Sequence, residues 1–373
     1  MNIYLDNRIV MTLDAGGTNF VFSAIKGGKE IIEPIILSSS SHDLELCLQQ
    51  IINGFKQIKE QLLPEKPVAI SFAFPGPADY KNGIIGDLPN FPSFSGGVAL
   101  GPMLEETFGL PTFINNDGDL FTYGEAMAGF LPELNNLLQL NEIDKTYRNL
   151  FGITLGTGFG GGIVVDGKIF EGDNSAGGEI WLMRNFYNKN LFAEEGVSIR
   201  AVQRVYKEIS GDKDLRSPKE IYDIAIGEAN GNREAALEAY DEMALNIAES
   251  LANAVTLIDG PIVIGGGISG ASQLILPKII KHLNGDIENI RGDKFSRLVS
   301  KVYNFEDNAS CKEFLNWKGQ LIKIPFSSKE INYMREKKLV IGLSKLGTSK
   351  AVCLGAYAYA LANIDVAKKA IIH

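Results

Sequence analysis

The residues of this chain that could do chemistry fall into carboxylates at the ends of apolar runs and glycine-rich turns with backbone N–H groups to offer. The first turn is Asp14-Ala15-Gly16-Gly17-Thr18-Asn19, set between the apolar runs Ile9–Leu13 and Phe20–Ile25. A strand that ends there and re-enters a strand makes a tight hairpin. Its glycines let backbone N–H groups approach phosphate oxygens. Thr18 and Asn19 add side-chain hydrogen-bonding capacity. Asp14 would face a Mg²⁺ ion through water, because Mg²⁺ keeps much of its hydration. A hairpin that binds nothing would account for the glycines equally well.

A second glycine-rich turn, Gly156-Thr157-Gly158-Phe159-Gly160-Gly161-Gly162, follows the apolar run Phe151–Leu155. It matches G-x-G-x-x-G, but a dinucleotide site needs a helix directly after the glycines. Here Ile163-Val164-Val165-Asp166-Gly167-Lys168 follows, which reads as a strand and a turn. The glycines also lack a following Lys-Ser/Thr, so this is not a Walker A loop. Two hairpin loops of this kind can grip one nucleotide from opposite domains. A third run, Pro261-Ile262-Val263-Ile264-Gly265-Gly266-Gly267-Ile268-Ser269, takes a buried-type strand into three glycines and suits close backbone approach to an adenine or ribose. A plain strand-to-helix turn is the competing reading.

Asn115-Asn116-Asp117-Gly118-Asp119 comes directly after the strand-like Thr112–Ile114. A carboxylate at the carboxyl end of a strand sits where α/β folds place their ligands. Transfer of a phosphoryl group to a sugar hydroxyl needs a positioned proton acceptor, which a carboxylate provides. Asp119 reads as a cap at a helix start. Ser175-Ala176-Gly177-Gly178-Glu179-Ile180, with Glu194 nearby, supplies two further carboxylates. Facing a cleft, these would accept hydrogen bonds from vicinal sugar hydroxyls; taken singly, each also reads as a solvated surface residue.

The elements that must position these groups are strands alternating with helices. Ile9–Leu13, Val68–Phe74, Thr112–Ile114, Phe151–Leu155, Ile163–Val165 and Ile262–Ile264 are short, β-rich and bounded by Gly, Pro, Asn or Asp. Leu44, Leu48, Ile51, Phe55, Ile58 and Leu62 recur at helical spacing, as do Leu237, Tyr240, Ala244, Ile247, Leu251, Ala254 and Ile258. Val98–Phe108 reads as a helix stopped by Gly109 and Pro111. This is an α/β pattern. The stretch from Gly285 to Ser349 is rich in charge and asparagine and has weak periodicity.

The 373 residues exceed one ordinary core and suit two domains around a cleft. Hydrophobic residues make up 45% and charged residues 22%, a soluble globular composition. The net charge of −9 argues against nucleic acid as the partner, though not against an anion held by backbone N–H groups. Cys47, Cys311 and Cys353 are scattered, and His42, His282 and His373 are far apart, so neither a disulfide framework nor a histidine-based metal site is supported. The N-terminus lacks the regions of a signal peptide, and no run approaches a membrane span. The expectation is a cytoplasmic protein with no membrane and no nucleic-acid partner.

In their order, these motifs resemble the ROK family of sugar kinases and sugar-responsive repressors, within the actin and hexokinase superfamily. The resemblance rests on DAGGTN, FPGP at Phe74–Pro77, LPNFP at Leu88–Pro92, NND at Asn115–Asp117, GTGFGGG, AGGEI and IGGG, and resumes at Leu346–Ala360. No one motif is decisive; together, in this order and spacing, they are specific. The resemblance implies an α/β fold of two ribonuclease-H-like (actin-like ATPase) domains flanking a nucleotide and sugar cleft. The small one would be 1–122, completed by a C-terminal helix in 351–373, and the large one 123–350. It implies ATP-dependent phosphorylation of a hexose or N-acetylhexosamine, with ATP and Mg²⁺ as cofactors. Asp117 would be the general base. Gly76, Asn116, Glu179 and Glu194 would line or bind the sugar. Asp14, Gly16, Gly17, Thr18 and Asn19, then Gly156, Thr157 and Gly158, then Gly266 and Gly267 would hold the nucleotide, with Asp14 toward the metal. Family members are often dimers or tetramers, which implies a homo-oligomer.

Two departures matter. Many family members continue G-E-I-G-H, whose His touches both the sugar and a structural zinc; here Leu182 stands at that position. Their cysteine cluster before the glutamate is also missing, since Asn185–Ala193 contains no cysteine, so no structural zinc is expected. The family's repressors carry a winged helix-turn-helix before the first loop, and the 13 residues before Asp14 leave no room for one. The competing functions are a non-catalytic sugar or nucleotide sensor, which the missing His and zinc cluster motivate, and a kinase for a non-sugar acceptor. The paired glutamates speak for a polyhydroxylated substrate instead.

Overall fold

The computed structural model describes residues 2–16, 18–76, 78–86 and 91–372, with side chains described through Lys368. It contains two six-stranded sheets. In the first, the strands run in the order Lys29–Glu30, Asn19–Lys26, Ile9–Ala15, Pro67–Ala73 and Thr112–Asn115, and Ile35–Ser38 pairs with Asn19–Lys26. Ile9–Ala15 and Asn19–Lys26 form an antiparallel hairpin in which Asp14 lies opposite Val21 and Ala15 opposite Phe20. Pro67–Ala73 pairs parallel with Ile9–Ala15, and Thr112–Asn115 parallel with Pro67–Ala73. The carboxyl ends of these parallel strands therefore bring Asp14, Gly76 and Asn116 to the same end of the sheet.

Aromatic packing holds this sheet to its helices. The helix Leu44–Gln61 starts at Asp43, whose side chain accepts from the Leu46 N–H, and it buries Cys47, Ile51, Phe55 and Ile58. Phe55 meets Phe22 edge to face at 5.1 Å, and Phe74 meets Phe91 at 4.9 Å between ring centroids. Each fully buried ring contributes about 1.5–3 kcal/mol of burial free energy. The helices Asp117–Ala128 and Thr348–Ile372 pack backbone to backbone. A Cβ at Gly124 would overlap the Ala351 carbonyl, and one at Gly355 would overlap the Leu120 carbonyl.

The second sheet is ordered Lys168–Ile169, Phe159–Val165, Leu150–Leu155, Ile262–Gly265, Lys337–Leu343 and Ser300–Asn304. Ile262–Gly265 is parallel to both of its neighbours. The 26-residue helix Arg233–Ile258 buries an alanine-rich stripe that includes Ala236, Tyr240, Ala244, Ile247 and Leu251. The chain divides into two compact units: Met1–Pro132 with Gly162–Gly178 and Lys345–His373, and Glu133–Gly161 with Glu179–Ser344.

One sequence expectation about the elements needs correction. Val98–Phe108 is not helical throughout: Val98–Ala99 is a short strand paired antiparallel with Ile84–Ile85, and the helix begins at Leu100. Those two residues take their hydrogen bonds from a partner strand, which a local helical pattern cannot reveal. In the weakly periodic stretch, Ser300–Asn304 and Lys337–Leu343 extend the second sheet, while Asp286–Glu288 with Lys294–Ser296 and Gln320–Lys323 with Glu330–Tyr333 form short hairpins. Every residue of the latter hairpin's strands is exposed, so it carries no alternation of burial to read.

Candidate active site

In the first unit, Asp14, Gly16, Thr18 and Asn19 form the tip of the first hairpin, closed by a 3.1 Å bond from the Gly16 N–H to the Asn19 carbonyl. Gly17 lies outside the described residues, as does Pro77 of the FPGP run. Asp14 is reached by solvent at its edge, yet the protein packed around it removes enough hydration to lift its carboxyl above the ordinary range.

Asp117 is the first residue of the helix Asp117–Ala128, and Asn116 is its cap. The Asn116 side chain has the short reach that capping needs. Its Oδ1 accepts from the Gly118 N–H at 2.7 Å, and the same N–H lies 2.9 Å from Asp117 Oδ1. Asp119, expected as the cap, is instead buried within the first turn. Asn116 takes the cap because it alone combines extended backbone, φ −66° and ψ 148°, with a side chain facing the free N–H.

The Asp117 carboxyl is accessible to solvent but crowded by protein, and that lost hydration pushes its pKa up. The Gly118 N–H pulls the other way, and the negative charge of Asp14 pushes it up further. The positive end of the helix also favours the ionised form. Asn116 Nδ2 lies 3.5 Å from the Tyr80 hydroxyl, which donates to the Phe74 carbonyl at 2.9 Å. A Cβ on Gly76 would run into that hydroxyl and approach Asn116 Nδ2 to 3.3 Å. Gly76, Tyr80, Asn116 and Asp117 thus form one constellation. Tyr80 was missed by the sequence reading, and so was Glu171, which accepts from Asn115 Nδ2 at 2.9 Å. Tyr80 lies just past the FPGP run and Glu171 just before Gly172, but the partner that gives each its place is distant in sequence.

In the second unit, the Gly156 N–H donates to the Gly158 carbonyl at 3.1 Å, and the Ile199 N–H to the Gly156 carbonyl at 2.9 Å. This turn is braced by Glu194. Its Oε2 accepts from the Phe159 N–H at 2.9 Å and would sit 2.7 Å from a Cβ on Gly158, while its Oε1 meets Arg200 at 2.8 Å. Thr157 is exposed at the tip. Glu179 is half-buried, and the Trp181 indole N–H donates to its Oε2. Gly266 has φ +89°, and a Cβ there would overlap the Leu155 backbone, so close strand-to-turn approach requires glycine at this position. Gly267 is exposed, with open space where a side chain would stand.

Among the described residues, no three His, Cys, Asp or Glu side chains are grouped to hold a metal, and no helix is long and apolar enough to cross a membrane. The first unit thus sets Asp117, at a helix start, within reach of the charge of Asp14 in the first hairpin, and the second unit carries a glycine hairpin of its own. The sequence profile of the ROK family matches residues 10–291. This chain belongs to the ROK family. The crystal structure of a glucokinase from Parabacteroides distasonis is 52% identical, with a TM-score of 0.88, over 97% of this chain and 99% of that one. The N-acetyl-D-glucosamine kinase of Vibrio atlanticus is 27% identical over 316 residues, 76% of this chain and 97% of the relative. A ROK glucokinase from Streptomyces griseus, solved with glucose and AMPPNP, shares the fold at 18% identity and a TM-score of 0.56, over 94% of this chain and 98% of that one. The ROK protein described here is accordingly a sugar kinase of two-domain, actin-like ATPase fold.

Proposed function

We propose that this ROK kinase transfers the γ-phosphoryl group of ATP to a hydroxyl of a hexose or N-acetylhexosamine, with Asp117 as the general base. The observation that carries this reading is the placement of Asp117: a carboxyl with a raised pKa at a helix start, beside Asn116, Gly76 and Asp14. The sugar hydroxyl gives its proton to Asp117 as its oxygen bonds to the γ-phosphorus. The bond from that phosphorus to the bridging oxygen breaks, and ADP leaves with the electron pair. Asn116 and Glu179 hold sugar hydroxyls, and Glu194 borders them while bracing the second glycine turn. The N–H groups of the two hairpin tips face the phosphates, and Gly266 and Gly267 lie toward the adenosine.

The pairing of Asp14 with Asp117 suits a hard cation, because each carboxyl is short of hydration and negative charge accumulates between them. Asp14 would hold Mg²⁺ through water; the ion, when bound, supplies relief of phosphate charge. Support for ATP comes from the two glycine hairpins and from the AMPPNP complex of the Streptomyces relative.

The test is coupled ADP release with Mg·ATP against a panel of hexoses and N-acetylhexosamines, with Asp117→Asn alongside. One sugar should turn over, and the variant should lose about 10²–10⁴-fold in kcat while binding that sugar within a few-fold of wild type. Near-normal turnover in Asp117→Asn overturns the base. A flat panel with intact sugar binding overturns the kinase reaction on these sugars.

A further inference from the structure

We infer that Trp181 is a positioning residue for the sugar: its indole N–H fixes the Glu179 carboxylate, and its ring sets where that carboxylate stands relative to Glu194. The inference rests on the proposed sugar-binding role of Glu179.

Glu179 leads into the short 3₁₀ turn Ile180–Leu182, and Glu194 lies in the 3₁₀ turn Ala193–Gly196. A surface glutamate has several rotamers of similar energy, so a carboxylate that must present its oxygens to two hydroxyls gains from being held in one. Trp181 supplies that restraint. Its Nε1–H donates to Glu179 Oε2, which ties the carboxylate to the ring. The Trp181 ring is itself fixed by meeting Phe192 edge to face, with centroids 5.5 Å apart and planes at 89°.

Phe192 directly precedes the turn that holds Glu194. The two turns are tied by the Ala193 N–H to the Met183 carbonyl at 2.6 Å and by the Asn185 N–H to the Leu191 carbonyl at 3.0 Å. The intervening loop is anchored from below: buried Asn185 accepts from the Tyr187 and Asn188 N–H groups, and Asn246 of the helix Arg233–Ile258 accepts from the Phe186 N–H at 2.8 Å. Glu179, Trp181, Phe192 and Glu194 therefore form a continuous clasp inside one unit. The sugar class it would suit presents adjacent hydroxyls at a fixed spacing, as a pyranose does.

The experiment compares Trp181→Phe, which keeps a ring against Phe192 and removes the donor, with Glu179→Gln and the double variant. Sugar affinity is measured by calorimetry, and KM for sugar and for ATP by coupled ADP release. Trp181→Phe should raise the sugar Kd and KM roughly 10–100-fold, the loss expected when a hydrogen bond to a charged group goes, and leave the ATP KM within about twofold. In the Glu179→Gln background the same change should cost less than about twofold, because its target is already altered. Trp181→His, which restores a ring N–H donor, should recover part of the loss. A sugar Kd within about twofold of wild type in a folded Trp181→Phe overturns the inference. So does an equal cost in both backgrounds, which is the mark of simple packing. Sugar binding without turnover overturns the proposed reaction but leaves the clasp standing; a panel in which no sugar binds overturns both.

Discussion

Glu125 is fully buried in the helix that begins with Asp117, and its carboxylate is a junction for backbone N–H groups. Oε2 accepts from Phe130 at 2.7 Å and from Lys345 at 3.3 Å, and Oε1 from Leu346 at 3.1 Å. It thereby ties the end of its own helix to the start of the segment that becomes Thr348–Ile372. Replacing Glu125 with Ala strips these N–H groups of their acceptor. At about 1–3 kcal/mol for the buried Phe130 donor and about 0.5–1.5 kcal/mol for each of the two part-buried donors, the loss should be roughly 2–6 kcal/mol. Glu125→Gln is the informative control. Its amide oxygen can take the Oε2 position and serve Phe130 and Lys345, but its NH₂ then faces the Leu346 N–H, donor against donor. One charge-assisted bond is lost and a mismatch is gained, so about 1.5–3 kcal/mol should go. Urea unfolding followed by circular dichroism, with the midpoint and slope compared across the series, measures both changes. The order wild type, Gln, Ala must hold. An Ala variant within about 0.5 kcal/mol of wild type, or a Gln variant worse than Ala, refutes the junction.

Three further outcomes follow from groups already placed. The pKa of Asp117 is raised by lost hydration and by Asp14, and in its proposed role as base it must be deprotonated. The acid limb of kcat/KM should therefore lie above the ordinary aspartate value of about 3.9, and the rate should fall as pH drops through it. A carboxyl whose folded pKa is raised destabilises the fold once ionised. Asp117→Asn should therefore melt higher than wild type at pH 7.5, and the gap should close as pH falls toward the unfolded aspartate range; a lower-melting variant at pH 7.5 contradicts the desolvation account. Gly266→Ala forces a Cβ into the Leu155 backbone at φ +89°, so it should lose about 2–4 kcal/mol in urea unfolding, while Gly267→Ala, which meets open space, should lose under about 1 kcal/mol.

Much of the fold was legible because its signals are local. The strands Ile9–Ala15, Pro67–Ala73, Thr112–Asn115, Leu150–Leu155 and Ile262–Gly265 are apolar runs with glycine or asparagine at their ends, and the structure places each within a residue or two of its sequence reading. Among the turn glycines, Gly16 answers to a contact inside its own hairpin, whereas Gly158 meets the side chain of Glu194 and Gly266 the backbone of Leu155, both far along the chain. What escaped depends on partners distant in sequence. Val98 joins Ile85 in a strand, Tyr80 reaches Asn116, and Glu171 reaches Asn115. Ser300–Asn304 is buried only because Lys337–Leu343 and the helix Ser272–Leu283 pack on it, and its sequence, Ser-Lys-Val-Tyr-Asn, has no apolar run to announce that.

Glu194 shows how little a residue's type says about its surroundings. A carboxylate near a sugar-binding motif suggests a lone acceptor for hydroxyls. The structure gives it prior commitments: the Phe159 N–H on one oxygen and Arg200 on the other. The ion pair with Arg200 is largely exposed and contributes little by itself. The bond to Phe159 is different, because it comes from the strand that leaves the second glycine turn and sits against Gly158, where a side chain would intrude. A sugar drawing on Glu194 would therefore draw on the same carboxylate that shapes the second glycine turn. If Glu194 takes a sugar hydroxyl as proposed, it is the carboxylate through which the sugar and the second glycine turn would feel each other.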